Sequence, residues 1–156
     1  MKNVTKILCL FVMILAMACT KEGPQGPAGA NGNANVQYSD WITSSTWTGS
    51  SGSYVFDVTD TKITQPILDQ GVVLAFAKLV ADGANIRPLP TTISSVSWTF
   101  IVTLGAIHFT SSLSTTPAST NQFRYIIIPT TTHLRLKKPL NQMTYDEVCE
   151  LYNIPK

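Results

Sequence analysis

The chain has 156 residues, of which 11 are Lys or Arg and 9 are Asp or Glu, for a formal net charge of +2. Lys2 and Lys6 supply that excess, so the chain from Cys19 onward carries nine basic and nine acidic residues and no basic stretch that would grip nucleic acid. Three cysteines and two histidines, none at metal-ligand spacing, exclude a disulfide scaffold or a zinc module.

Lys2 and Lys6 form a basic leader to Ile7–Ala18, a twelve-residue run without a charge. That is the layout of a secretory signal, whereas a membrane-spanning helix needs about 20 apolar residues. Residues 1–18 are therefore read as a signal peptide. Before Cys19, Leu15-Ala16-Met17-Ala18 is similar to the lipobox of bacterial lipoproteins, with small residues at −1 and −3 and the leucine at −4 instead of its usual −3. The likeness makes Cys19 the lipidation site and a bilayer the first partner. Two or three acyl chains at about 0.8 kcal/mol per buried CH₂ hold a protein almost permanently. The other reading is an ordinary signal cut after Ala16 or Ala18, with Cys19 a free thiol.

Residues 19–35 carry glycine at every third place, Gly23, Gly26, Gly29 and Gly32, with Pro24 and Pro27 after two of them. This is the collagen pattern, in which only glycine fits the axis of three wound chains. Four triplets are few, so two readings stand: a polyproline-like spacer in a single chain, or a short triple helix that makes a homotrimer. At about 3.1 Å per residue the triplets span roughly 35 Å, enough to hold a domain clear of a bilayer.

Residues 36–156 are the size of one domain. Short alternating apolar runs among many Ser and Thr predict strands. Residues 36–43 read as a first strand, 44–53 as a loop holding Trp47, and Tyr54, Phe56 and Val58 as one face of a second strand. Thr64–Gly71 reads as a helical turn capped by threonine, with proline in its first turn and glycine at its end. Val72–Val80 is apolar on both faces, the mark of a central strand. A turn at Asp82–Asn85 follows, and Pro88 and Pro90 are expected to keep the next stretch out of any ladder. Val96–Leu104 alternates with only Ile101 breaking the pattern and pairs through Gly105 with 106–113 as a hairpin. After a Ser/Thr/Pro loop, Gln122–Ile128 is another strand, stopped by Pro129, and 133–137 a last short one. Thr144 and Glu147 form a capping box over a helix at 144–152, with Met143 stapling onto Val148. Tyr145, Val148, Cys149 and Tyr152 share its apolar face, so Cys149 reads as a small core residue. The sum is an all-β fold, a two-sheet antiparallel β-sandwich with a short C-terminal helix.

The residues offer little chemistry. His108 and His133 stand without metal or nucleophile motifs, there is no nucleophile elbow or phosphate loop, and Asp57 and Asp60 read as solvated turn carboxylates. No cofactor is implied, and the domain reads as non-enzymatic. Of the aromatic residues near the Ser/Gly loop, Tyr38 and Trp41 are expected in the core. Trp47, flanked by polar residues on both sides, is the candidate for stacking on a glycan or meeting a protein ligand.

Cys19 with Thr20-Lys21-Glu22, the run Gly23–Gly29, the strand Phe123–Pro129 and the closing segment Met143–Pro155 together resemble the collagen-like lipoproteins of Bacteroidetes-type bacteria. The resemblance implies a lipid-anchored protein of the outer membrane, displayed at the surface to the extent that Lys21-Glu22 meets the charged signal for it. It also implies a β head, and assigns no activity. Two roles follow: a binding or adhesion module, or an envelope component that self-associates as a trimer.

Overall fold

The computed structural model describes residues 35–129, 136 and 138–156. The signal, Cys19, the glycine triplets, His133 and, apart from Leu136, the expected strand at 133–137 lie outside the described residues.

Two antiparallel sheets form the head. The first has the order β1 (Gln37–Tyr38), β10 (Gln122–Ile128), β5 (Val72–Lys78), β6 (Ile86–Pro88), with β2 (Ile42–Thr43) also paired to β10. The second runs β3 (Thr48–Ser50), β4 (Ser53–Thr59), β9 (Ala106–Ser111), β8 (Val96–Thr103), β7 (Thr91–Ile93). Two α-helices complete it, α1 (Gln65–Gln70) and α2 (Tyr145–Tyr152). The β-sandwich with a short C-terminal helix is the architecture that the alternating runs predict.

The doubly apolar pattern of β5 has a direct cause. It pairs with β10 from Val72↔Ile128 to Lys78↔Gln122, and both strands are covered on both faces. Ala75, Ala77, Phe123, Tyr125 and Ile127 point into the core between the sheets, against Phe56, Trp98, Ile107 and Phe109. Phe76, Ile126 and Ile128 point the other way, under Tyr145, Val148, Cys149 and Tyr152 of α2. Sheet, sheet and helix thus make three layers, with β5 and β10 in the middle one.

α2 forms as its sequence dictates. Thr144 Oγ1 accepts from the Glu147 N–H, and the Glu147 carboxylate accepts from the Thr144 N–H, closing both halves of the box. Its buried face is Tyr145, Val148, Cys149 and Tyr152, and Met143 packs into the same cluster. In α1, Thr64 sits at the cap but its side chain makes no capping bond. Gly71 ends that helix in an extended conformation, so it is not there for a left-handed turn. A Cβ at Gly71 would lie 2.8 Å from the Ile67 carbonyl oxygen, so glycine lets α1 hand the chain directly to β5.

Three expectations need correction. Residues 36–43 are two short strands, because the chain leaves the β10 ladder at Ser39–Trp41 before Ile42 rejoins it. The 44–53 loop contains β3, whose Gly49 lets it pass β4 closely. Pro88 does not prevent pairing: β6 joins β5 as an edge strand, where a residue without an N–H is tolerated on its outward side. The chain then crosses to the second sheet through β7 and turns into β8 at Ser94–Ser95, both with positive φ.

Candidate functional site

Trp47 is half-buried and packs against the core between the sheets. Its ring centroid lies 5.8 Å from Phe56, 5.9 Å from Phe123 and 6.1 Å from Trp98, so it closes one end of the core between the sheets. Its indole N–H donates to Ser44 Oγ at 3.1 Å, and Ser44, fully buried, donates on to the Asn121 carbonyl oxygen. Polar sequence neighbours do not expose a ring when the strand after them turns it inward. The indole N–H and the inward side of the Trp47 ring are thus engaged in the core, and only the remainder of a half-buried ring faces outward.

The other two aromatic residues move the opposite way. Tyr38 is 39% exposed, on edge strand β1, and Trp41 is half-buried where the chain leaves β10. Neither enters the core between the sheets, but Trp41 does pack against the second core cluster, the one beneath α2. They border the outer face of the first sheet, beside the start of α2, and their neighbours are cations. Lys78 Nζ lies 4.0 Å from the Trp41 ring centroid and Trp41 packs against Tyr145 at 5.5 Å. The Arg124 guanidinium lies 5.2 Å from the Tyr38 centroid and 5.7 Å from that of Tyr145. Such contacts are worth about 0.5–1 kcal/mol when exposed and more when desolvated.

Arg124 is the centre of this group. It sits mid-strand in β10 with 3% exposure. Its Nε–H donates to the Ser39 carbonyl oxygen at 2.8 Å, and Nη1 donates to the Pro155 carbonyl oxygen at 2.8 Å and to the Tyr145 hydroxyl. The guanidinium thereby ties the segment before β2 and the segment after α2 to the middle of the sheet. Burial, followed by the neighbouring Cys149 thiol, pushes the Tyr145 phenol above its ordinary value against the opposing pull of Arg124.

A second polar group lies on the outer face of the other sheet. His108 is directly opposite Asp57 across the β4–β9 pair. His108 Nδ1 is 2.6 Å from Asp57 Oδ1, and Nε2 is 2.8 Å from Thr103 Oγ1. With Asp57 ionised, Nδ1–H donates to it and Nε2 accepts from the threonine hydroxyl, so His108 is not solitary. The order carboxylate, imidazole, hydroxyl is that of a nucleophile relay. Asp57, however, is 57% exposed on an open strand face, where water screens the group. The backbone N–H groups around it belong to the β4–β9–β8 ladder, so no pair of them converges on an oxyanion. The arrangement fixes an imidazole tautomer on a Thr-rich surface. Asp60 goes elsewhere, accepting from the Tyr125 hydroxyl at 2.6 Å and from the Lys62 N–H at 2.9 Å, so it is a structural turn carboxylate.

Beside the part of β5 that β6 does not cover is a cleft of about 360 Å³, lined by Val72, Leu74, Leu89, Phe100, Leu140 and Met143 among others. Its lining contains no ionisable side chain. Among the described residues no group of three or more His, Cys, Asp and Glu is placed to hold a metal ion. Comparison with protein-family models, with curated proteins and with solved structures finds no match.

Sequence reasoning missed the Tyr38–Trp41–Lys78–Arg124 group because its members come from three strands and the link between β1 and β2, whose register the sequence does not print. One signal was available: Arg124 interrupts an otherwise apolar doubly buried strand, and a charge there must be held by something.

Proposed function

We propose that the chain is a cell-envelope lipoprotein, anchored through Cys19 in the outer membrane and exposed at the surface, whose β-sandwich head is a non-enzymatic binding or adhesion module for a glycan or protein. The observation that carries the binding role is the exposed Tyr38 beside Trp41, with Arg124 and Lys78 against their rings. Rings and cations grouped at one sheet margin are the side-chain classes that recognition surfaces concentrate. The anchoring role rests on the apolar run that ends at Cys19 and on the glycine triplets after it.

A glycan array probed with the full-length chain in detergent tests the binding role: capture of at least one glycan class, lost in Tyr38→Ala, is expected, and an array silent throughout would overturn the glycan form of it. Phase separation in detergent tests the anchor. The native chain enters the detergent phase and Cys19→Ala stays in water; a variant that still enters detergent would refute lipidation at that residue.

The second reading is structural, a trimer assembled through the glycine triplets and heads. Gly23, Gly26, Gly29 and Gly32 favour it, since they end a few residues before β1. Sedimentation of the full chain in detergent separates the two, a trimer supporting assembly and a monomer excluding it.

A further inference from the structure

We propose that Arg124 and Lys78 hold the carboxylate of an acidic saccharide whose ring lies against Tyr38; this rests on the binding role argued above and names its ligand class. The starting point is an electrostatic imbalance. A buried guanidinium is costly unless it is paired, and among the described residues Arg124 is held by neutral acceptors alone, two carbonyl oxygens and a phenol. Among the described residues no carboxylate lies within ion-pair distance of Arg124 or of Lys78. The described acids are engaged elsewhere: Asp57 with His108, Asp60 with Tyr125, Asp69 with Gln65, Asp82 with Arg87, Glu147 with Lys138, and Asp146 and Glu150 with Lys156. Asp40, exposed between Ser39 and Trp41, is the exception and borders the site.

The geometry leaves donors available. Nε and Nη1 of Arg124 are used internally, whereas Nη2 has no hydrogen-bond partner among the described residues. Arg124 is 3% exposed, and Nη2 is not among the fully enclosed unpartnered side-chain atoms, of which Gln37 Oε1 is the one found among the described residues. The guanidinium is thus clamped through Nε and Nη1, with its orientation already fixed and Nη2 left without a partner among the described residues. Lys78 is on the neighbouring strand, diagonal to Arg124, which pairs with Phe76. Diagonal neighbours on one face are about 7–8 Å apart at the backbone, within the reach of two long side chains for a shared anion. Trp41 steadies the lysine, and Tyr38 offers the exposed ring beside the guanidinium. A bare anion would need only the cations. The aromatic wall beside them fits an anion attached to a ring with a C–H face.

The test uses the full-length chain in detergent, with tryptophan fluorescence and calorimetry following glucuronate, glucose and inorganic phosphate. Glucuronate should bind about tenfold or more tighter than glucose, the value of one charge-assisted hydrogen bond. Lys78→Gln and Tyr38→Ala should each weaken glucuronate about tenfold while the chain still unfolds cooperatively from the native fold, and Asp40→Asn should strengthen it. These variants sit at the margin, so the test does not depend on Arg124, whose replacement would also release the clamp on Ser39 and Pro155. Equal binding of glucose and glucuronate, lost in Tyr38→Ala, would overturn the carboxylate site while leaving a glycan-binding head. Phosphate binding as tight as glucuronate and indifferent to Tyr38→Ala would overturn the saccharide. No response to any of the three would overturn the proposal, and the glycan array then decides separately whether the head binds glycans at all.

Discussion

Trp47 and Trp41 are six positions apart in the chain and sit on opposite sides of the first sheet. Trp47 meets Phe56, Trp98 and Phe123, and its one polar atom is answered by a buried serine. Trp41 meets Lys78 and Tyr145, next to an arginine that no described carboxylate neutralises. The lesson is that the neighbours of a ring, and not its own polarity or that of its flanking residues, decide whether it is structural. Rings answered by rings hold the sandwich together, whereas rings answered by unpaired cations are available for recognition.

The largest break in this comparison should come from the inner side. Trp47→Ala removes a ring that three others pack against and should cost about 3–5 kcal/mol in chemical unfolding, while Tyr38→Ala, on the outer margin, should cost less than about 1 kcal/mol. Equal losses would show that the two regions do not differ as described. Next in size is Gly71→Ala, expected to cost about 2 kcal/mol because its Cβ would press on the Ile67 backbone, which cannot swing away as a side chain would. A variant as stable as the parent would mean that the junction of α1 and β5 is looser than its geometry shows.

On the helix-covered side, Thr144→Ala should cost about 1 kcal/mol by opening the capping box of α2. Acid should act on the same cap. The hydrogen bond from Lys138, then that from the Thr144 N–H, hold the Glu147 carboxyl below the ordinary glutamate value of 4.5. Because the folded value is the lower one, its support is complete above 4.5 and is lost as pH falls through the folded value. Melting curves between pH 6 and 3 should therefore fall more steeply for the parent than for Glu147→Gln, and parallel curves would remove Glu147 from the cap.

Alkali probes both sides at once. Burial raises the Tyr125 phenol, helped by Asp60, and it likewise raises Tyr145 and Tyr152. Raised folded values mean stability that is whole below the ordinary 10.0 and is lost as pH climbs through the folded values. Spectrophotometric titration should show these three phenols ionising late, in step with loss of the fold; five phenols titrating together in a folded chain would contradict their burial. The smallest effect is a gain. Ser94 and Ser95 both hold positive φ in the two-residue turn between β7 and β8, so Ser94→Asn with Ser95→Gly should stabilise by about 0.5–1 kcal/mol.

That turn also explains part of what the sequence leaves unread. An Asn-Gly pair would have announced the β7–β8 hairpin, whereas Ser-Ser does not, and β7 passes unnoticed directly after Pro88 and Pro90. β5, β10, the β8–β9 hairpin and α2 are legible because each has a strong local cause: apolar residues on both faces, alternation broken only at Ile101 before Gly105, or a complete capping box. The candidate site has no local cause. Tyr38, Trp41, Lys78 and Arg124 meet only once β1 and β5 are laid on either side of β10, and His108 meets Asp57 only through the β4–β9 register. Residue type and spacing give the layers; register decides which side chains share a surface.

The most direct test of the account follows the indole N–H resonances of Trp41, Trp47 and Trp98 by NMR while glucuronate is added to the full-length chain in detergent. The Trp41 signal should move with ligand concentration while those of Trp47 and Trp98 stay in place. Movement of Trp47 with Trp41 fixed would return recognition to the loop before β3 and contradict the assignment of the outer face of the first sheet.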